Sequence, residues 1–591
     1  MKNFKNKLLR NKIKTVLISI KKAFVFLFIL SFFISAPINI FSIINVTTTD
    51  ELIDAINTAN SVPDSIQFTA NITLTKPLPA ITNTYTIDGD DGTARTLDGA
   101  STFRGFIIVG SGNSPTIQDL KIQNTKALGG TGGTPSNKEG GSGGGGLGAG
   151  GAIYVGDSAS VTLSNITYDL NNATGGDGGP LTGTSGTSGG SGGGGLGGDG
   201  DNGTGTAADG GGGGGIKEWD GTSGGGSTIG DASGRTGGGL SPYDGADGAN
   251  SVGPANATTP GIGGGGGGGA EVAGAGAASA GAFGGGGGGG SGHATDNINA
   301  AVGGFGGGGG GGGGASGAGG TSPFGGGAGD AGGATVAGQG GGGAGLGGAI
   351  FIDDSATATI LDSTYDFSTN SVTAGTGANP GTGAGIDIFL ATGGTLIIDT
   401  TGTFTVSKNI EADTINATGG VTVTATTGSG GTVNFAGRTN AFGGAFTLTE
   451  GTVQFNSTGV PFGNATGITF PAAGAASTKV LNGLTGGTIT LSTPITMTGD
   501  GTITKDIVNQ SLNITSAITG TGVITVDGAG FVTPTVSNPS FSGGWKVDGG
   551  ILQITATDSI GTGDIEMLNS GTYRSGNPNV TISANNINLS T

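Results

Sequence analysis

Two stretches decide the fold. Gly150–Ala173 reads GGAIYVGDSASVTLSNITYDLNNA and Gly347–Asn370 reads GGAIFIDDSATATILDSTYDFSTN. Aligned without a gap at an offset of 197, they are identical at 11 of 24 positions, including the Gly-Gly-Ala-Ile opening, Asp-Ser-Ala and Thr-Tyr-Asp. In each, short β-branched runs alternate apolar with polar residues and break at Gly or Asp corners, the pattern of strands with one buried face. Each copy is therefore one turn of a stacking unit. Ile153, Val155, Val161 and Leu163, with their counterparts Ile350, Ile352, Ala358 and Ile360, are expected to point inward. A second pair, Phe442–Phe455 and Phe541–Ile554, aligns at an offset of 99 and has the same strand, Gly turn, strand order.

The flanks agree. From 65 to 125 come SIQFTA, ITLT, TYTIDG, RTLDG, GFIIVG and TIQDLKIQ, separated by Asn, Gly, Asp or Pro turns. With no helical patterns between the strands, a doubly wound α/β sheet is excluded. The one helical pattern is Thr47–Asn60, where Leu52, Ile53, Ile56 and Ala59 share a face and Thr48 with Glu51 forms a capping box. The predicted fold class is all-β: a right-handed parallel β-helix of roughly 20–25 residues per circuit, an N-terminal capping helix, and a long Gly-rich insertion. At a strand spacing of about 4.8 Å the body outside the insertion would be on the order of 80 Å long.

That insertion is 175–348, which holds 82 of the chain's 140 glycines. Too few apolar side chains are present to offset ordering costs of about 1–2 kcal/mol per residue as a conventional core. Two states remain open: a solvated excursion, or extended Gly-rich strands whose bare backbones pack and hydrogen-bond. Phe283, Phe305, Phe324 and Trp219 are placed to dock it onto the body. As a solvated excursion from one corner it would make the two GGAI circuits neighbours in the stack. Its deletion would then leave melting temperature nearly unchanged. A collagen triple helix is excluded, since the glycines come in runs such as 263–269 without a strict every-third period.

Residues 1–22 carry eight Lys or Arg and no acid, and Ala23–Ile34 is a 12-residue apolar run. This reads as a secretory signal peptide, because a membrane span needs about 20 apolar residues. The expected organisation is a signal peptide at 1–42, a cap and β-helix at 43–174, the insertion at 175–348, and further β-helix at 349–591. The chain has 591 residues, no Cys, one His and a net charge of −18. An acidic surface repels phosphate backbones, so nucleic acid is not an expected partner.

The opening segments ELIDAINTAN, SIQFTANITLTKPLPAI and FIIVG resemble the start of bacterial surface β-helices. The GGAI copies resemble the GGA-plus-apolar motif of the polymorphic outer membrane protein family, whose passengers are adhesins. Segments 431–468 and 520–565 resemble the autotransporter-associated β-strand repeat. The resemblance implies a secreted or surface-displayed passenger acting as an adhesin or surface antigen without catalysis. Its partner would be a protein or glycan on a host or neighbouring cell, and the outer membrane would be reached only through a barrel outside this chain, which ends in SANNINLST. Candidate contact residues by the same resemblance are Gly150, Gly151, Ala152 and Ile153, Gly347, Gly348, Ala349 and Ile350, and Phe367 with Asn370 from the companion Phe-x-x-Asn motif. In the first copy Leu170-Asn171-Asn172-Ala173 stands at that place and breaks the motif. The plainer reading of the glycines is that they permit tight corners while Ile fills the core.

Chemistry is sparse. No Gly-Lys-Ser/Thr completes a phosphate loop, Gly156-Asp157-Ser158 has no orienting base because the only histidine is His293 in the insertion, and metal ligation lacks Cys or a second His. Neither cofactor nor metal is expected. Asp88–Asp91 and Asp199–Asn202 read as turns, and Asp353/Asp354 is the acidic pair a polysaccharide-acting β-helix enzyme would use. That enzyme, or a passive surface filler, is the alternative to adhesion.

Overall fold

The computed structural model describes residues 43–156, 158–181, 186–204, 209–215, 245–249, 256–270, 277–293, 296–314, 316–333, 336–361, 366–413, 419–424, 430–456, 460–472, 479–484, 487–577 and 586–589. The expected signal peptide, Trp219 and Asp157 lie outside them.

The fold is all-β, parallel and solenoid-like. Alternating residues enter the core, and the same face of each circuit lies on the same face of the next. In the C-terminal half Val421 lies beside Phe446, Phe446 beside Ile468, Ile468 beside Ile495 and Ile495 beside Ile518, so successive circuits take 22 to 27 residues. All five side chains are fully buried. The strands expected between 65 and 125 are present, at Ser65–Phe68, Ile72–Thr73, Thr86–Asp88, Arg95–Asp98, Phe106–Ile108 and Thr116–Gln123. A 13-residue helix, Thr49–Ser61, precedes them; the Thr48 hydroxyl accepts the Glu51 N–H while the Glu51 carboxylate accepts the Thr47 N–H. This is the capping exchange expected from the sequence, shifted by one residue on its return bond. Leu52, Ala55, Ile56 and Ala59 are buried.

The two GGAI circuits are adjacent. Ile153 pairs with Ile350, Val155 with Ile352, Val161 with Ala358 and Leu163 with Ile360, all in parallel register. Beyond Leu361 the register changes: Thr167 pairs with Asp366 and Tyr168 with Phe367, an offset of 199. The gapless alignment is corrected here by two residues. Tyr168 therefore matches Phe367 and Asn171 matches Asn370, so both copies carry aromatic-x-x-Asn and the first does not break the motif.

The Gly-rich segments leave the stack at one place. Strands Lys126–Leu128, Asn172–Thr174 and Ser371–Thr373 lie side by side, and so do the returning strands Gly148–Ala149, Gly345–Leu346 and Gly383–Ala384. Three excursions, 129–147, 175–344 and 374–382, thus start and finish on neighbouring circuits. The solvated alternative does not hold for their described residues, whose glycines are mostly buried.

Segment 141–147 shows how they are ordered. Gly143 and Gly146 donate to Gly133 and Gly130; Gly141 and Gly144 donate to Gly290 and Gly287; Ser142 and Gly145 donate to Gly338 and Gly341. In return it accepts from Gly176 and Gly179, from Ser191 and Gly194, and from Gly308 and Gly311. Every third residue faces the same neighbour, which is the repeat of a three-residue-per-turn extended helix, and six such helices surround the seventh. A collagen strand meets two partners and needs Gly at one position in three. With six partners the glycine positions are crowded: a Cβ on Gly144 or Gly145 would be driven into the carbonyl of Gly308 or Gly176, while the Ser142 side chain is accommodated by accepting the Gly340 N–H.

Candidate functional site

The motif residues sit inside the molecule. Gly150 and Gly347 adopt φ of +63° and +65°, and Gly385 on the next circuit adopts +67°. A Cβ on Gly151 would strike the Gly348 carbonyl, and one on Gly348 that of Ile386. Ala152, Ile153, Ala349 and Ile350 are fully buried. The GGAI segments therefore build a corner: glycine for the left-handed turn and close circuit contact, Ile for the core. They offer no side chain to the outside.

Phe367 is 7% exposed and stacks on Tyr168 at 5.0 Å. Asn370 belongs to a buried polar ladder. Thr125 donates its N–H and hydroxyl to Asn171 Oδ1; Asn171 Nδ2 donates to the Ile122 carbonyl and to Asn370 Oδ1; Asn370 Nδ2 donates to Asp387 Oδ1, and the Ser407 hydroxyl donates to Asp387 Oδ2. A buried amide needs such partners, and here adjacent circuits supply them. The sequence signal was the motif itself, read at the wrong register.

The acidic positions are engaged in hydrogen bonds, at Asp88–Asp91 within a turn as expected, but at Asp199–Asn202 with a segment 68 residues away rather than in a turn. Asp353 accepts from the Tyr154 hydroxyl at 2.8 Å and from the Asp354 N–H at 2.7 Å. Asp91 pairs with Arg95, while Asp88 and Asp90 accept backbone N–H groups of their own loop. Asp199 clasps the N–H and hydroxyl of Thr131, and Asn202 the N–H of Thr134. His293 lies in the two-residue strand Gly292–His293. Among the described residues no group of three or more His, Cys, Asp or Glu is placed to hold a metal ion.

The Gly-rich lattice is braced by aromatic side chains. Phe283, Phe305 and Phe324 each precede a glycine with φ between +72° and +79°, and their rings stack at 4.9 and 5.1 Å. On the outer side of one solenoid sheet Tyr154, Phe351 and Phe389 form a second stack, at 5.4 and 5.6 Å. The rows meet through tilted contacts of 5.9 to 6.5 Å. The docking expected of the three phenylalanines is thus present, and that sheet face is covered.

The longest sheet presents a different outer face. In register from circuit to circuit stand Thr86, Thr116, Thr162, Thr359, Ile397, Thr422, Thr447, Thr469, Thr496 and Thr519. All ten are partly exposed. Beside the row, two residues earlier on each strand, stand only small side chains, among them Ser160, Thr357, Thr395, Gly420, Ala445 and Gly467. Thr is favoured on a solvated sheet face for its β-branching, and neighbouring hydroxyls pair across strands, as Thr496 and Thr519 do at 3.5 Å. The sequence reading missed this row because the residues lie 22 to 197 positions apart and align only once the circuits are stacked.

Two lysines are buried instead. Lys479 donates to the Pro471 carbonyl and Lys505, fully buried, to that of Leu484. Burial pushes both ammonium groups below their ordinary 10.5, with Asp500 and Asp506 partly opposing. Between the lowered and ordinary values the unfolded chain binds more protons, so stability rises with pH. Burial raises the Tyr85 and Tyr573 hydroxyls above 10.0, which acts in the opposite sense only beyond that pH. The urea midpoint is expected to rise as the pH approaches the ordinary lysine value of 10.5 from below, and Lys479→Met/Lys505→Met should flatten that slope; an equal slope in the double variant would assign the pH dependence to other groups.

Among the described residues no helix is long and apolar enough to cross a membrane. Compared with known proteins, the chain matches no family model, no curated protein and no solved structure.

Proposed function

We propose that this chain is a secreted or surface-displayed passenger that works by contact, as an adhesin or surface antigen, and carries no catalytic centre. In this reading the solenoid is a right-handed β-helix, the helix Thr49–Ser61 covers its first circuit, and residues 1–42 direct export. The observation that carries the reading is the uncharged row of nine Thr and Ile397, in register on one sheet face from Thr86 to Thr519. Repetition of one weak contact along a rigid support favours adhesion, because linked sites bind far more tightly than each alone. The acidic pair of the enzyme alternative is spent on a corner, where Asp353 is 6% exposed and bonded to Tyr154.

The test is saturable binding of the purified full chain to candidate host cells, together with protease accessibility of the chain on intact producing cells. Saturation at sub-micromolar concentration and cleavage on intact cells are the expected results. Linear, non-saturating uptake with full protection from protease would overturn the proposal.

A further inference from the structure

We infer that the Thr row between Thr422 and Thr519 binds a neutral, linear β-1,4-linked polysaccharide laid along the stack; this rests on the contact function proposed above and names its partner. In this stretch Thr422, Thr447, Thr469, Thr496 and Thr519 follow one another on five successive circuits without interruption. Strands repeat about every 4.8 Å, a length on the scale of one sugar residue in an extended chain, and because successive sugars of a β-1,4 chain are turned over, every second hydroxyl of the row meets the same sugar face.

Each Thr brings one donor and two acceptor lone pairs, matching a polyol that also both donates and accepts. Its χ1 is restricted by β-branching, so little side-chain freedom is lost on binding. No Lys, Arg, Asp or Glu occupies the row, nor the positions two residues to either side of these five Thr. The chain as a whole carries −18, which disfavours an anionic polymer and leaves a neutral one. Among the described residues the positions two before these five Thr are Gly420, Ala445, Gly467, Pro494 and Ala517, none of them long or charged.

Cellohexaose and cellobiose, titrated into the full chain by calorimetry, test the inference. The hexamer is expected to bind at least about tenfold more tightly than the dimer, because it spans several hydroxyls at once. Thr447→Val/Thr469→Val/Thr496→Val keeps the β-branched shape, removes the hydroxyls and should weaken the hexamer at least about tenfold with unchanged circular dichroism. Thr432→Val/Thr452→Val on another sheet should leave binding as in the parent. The inference is overturned by no hexamer binding, by no dependence on length, by equal losses in both variants, or by sedimentation showing that the row instead joins two copies of this chain. Cell binding by the parent and the triple variant separates the two proposals. Adhesion that ignores the triple variant refutes the row and leaves the contact function standing, whereas hexamer binding without adhesion does the reverse.

Discussion

Replacing Gly144 and Gly145 together by alanine is expected to dismantle the Gly-rich lattice while the C-terminal circuits stay folded. Both new methyl groups meet backbone carbonyls, of Gly308 and Gly176. A flexible side chain could swing aside, but a carbonyl held in a hydrogen-bonded array cannot. Each substitution should therefore cost about 3 kcal/mol or more, the upper end of the range for overpacking. Amide hydrogen exchange reads the result. Protection should fall along 141–146 and in its neighbours 284–290 and 338–344, and persist in Ile551–Ile554. Retained protection at the Gly176 and Gly308 amides would show that these chains are not packed as described.

Deleting 176–345 and joining the ends is expected to lower the melting temperature and cause self-association. A solvated loop would have been dispensable, since closure entropy changes by only about 0.6 kcal/mol per doubling of length. The lattice is not solvated in its described part. Its phenylalanines cover Phe351 and Phe389, which are fully buried, along with Leu147. Uncovering such side chains forfeits about 1.5–3 kcal/mol apiece and leaves an apolar patch on a sheet face. Thermal melts with light scattering check this, and Phe351→Thr/Phe389→Thr in the deleted chain should restore solubility. An unchanged melting temperature and a monodisperse deleted chain would show that the aromatic rows contribute nothing to the body.

What the sequence made legible followed from side chains with a period. Ile153, Val155, Val161 and Leu163 alternate, so their inward direction and their pairing with the second copy could be read directly. The Thr-Tyr-Asp identity, in contrast, was misleading: it aligned Tyr168 with Tyr365, while the ring that stacks on Tyr168 belongs to Phe367. Two extra residues between Leu361 and Asp366 separate these possibilities, and local identity outweighed them. The GGAI corners were legible as corners and illegible as contacts, since a motif gives residue types but not exposure. The lattice was one of two states that the composition left open, and nothing in the sequence decided between them: Gly143, Gly144 and Gly145 are held by backbone bonds to different helices, a pattern that leaves no mark in hydropathy.

A lattice bonded chiefly through its main chain has an unusual tolerance in evolution. Ordinary cores resist insertion because every added side chain must find a fitting neighbour. At the rim of the Gly-rich array a new hairpin needs only glycine and a whole number of three-residue turns to find partners for its N–H and C=O groups. Replication slippage in Gly codons would then widen or trim the array one hairpin at a time, with the solenoid beneath it unchanged. Closely related chains should differ in this region by paired Gly-rich segments, and scarcely at all in the circuits that carry Phe351 and Phe389.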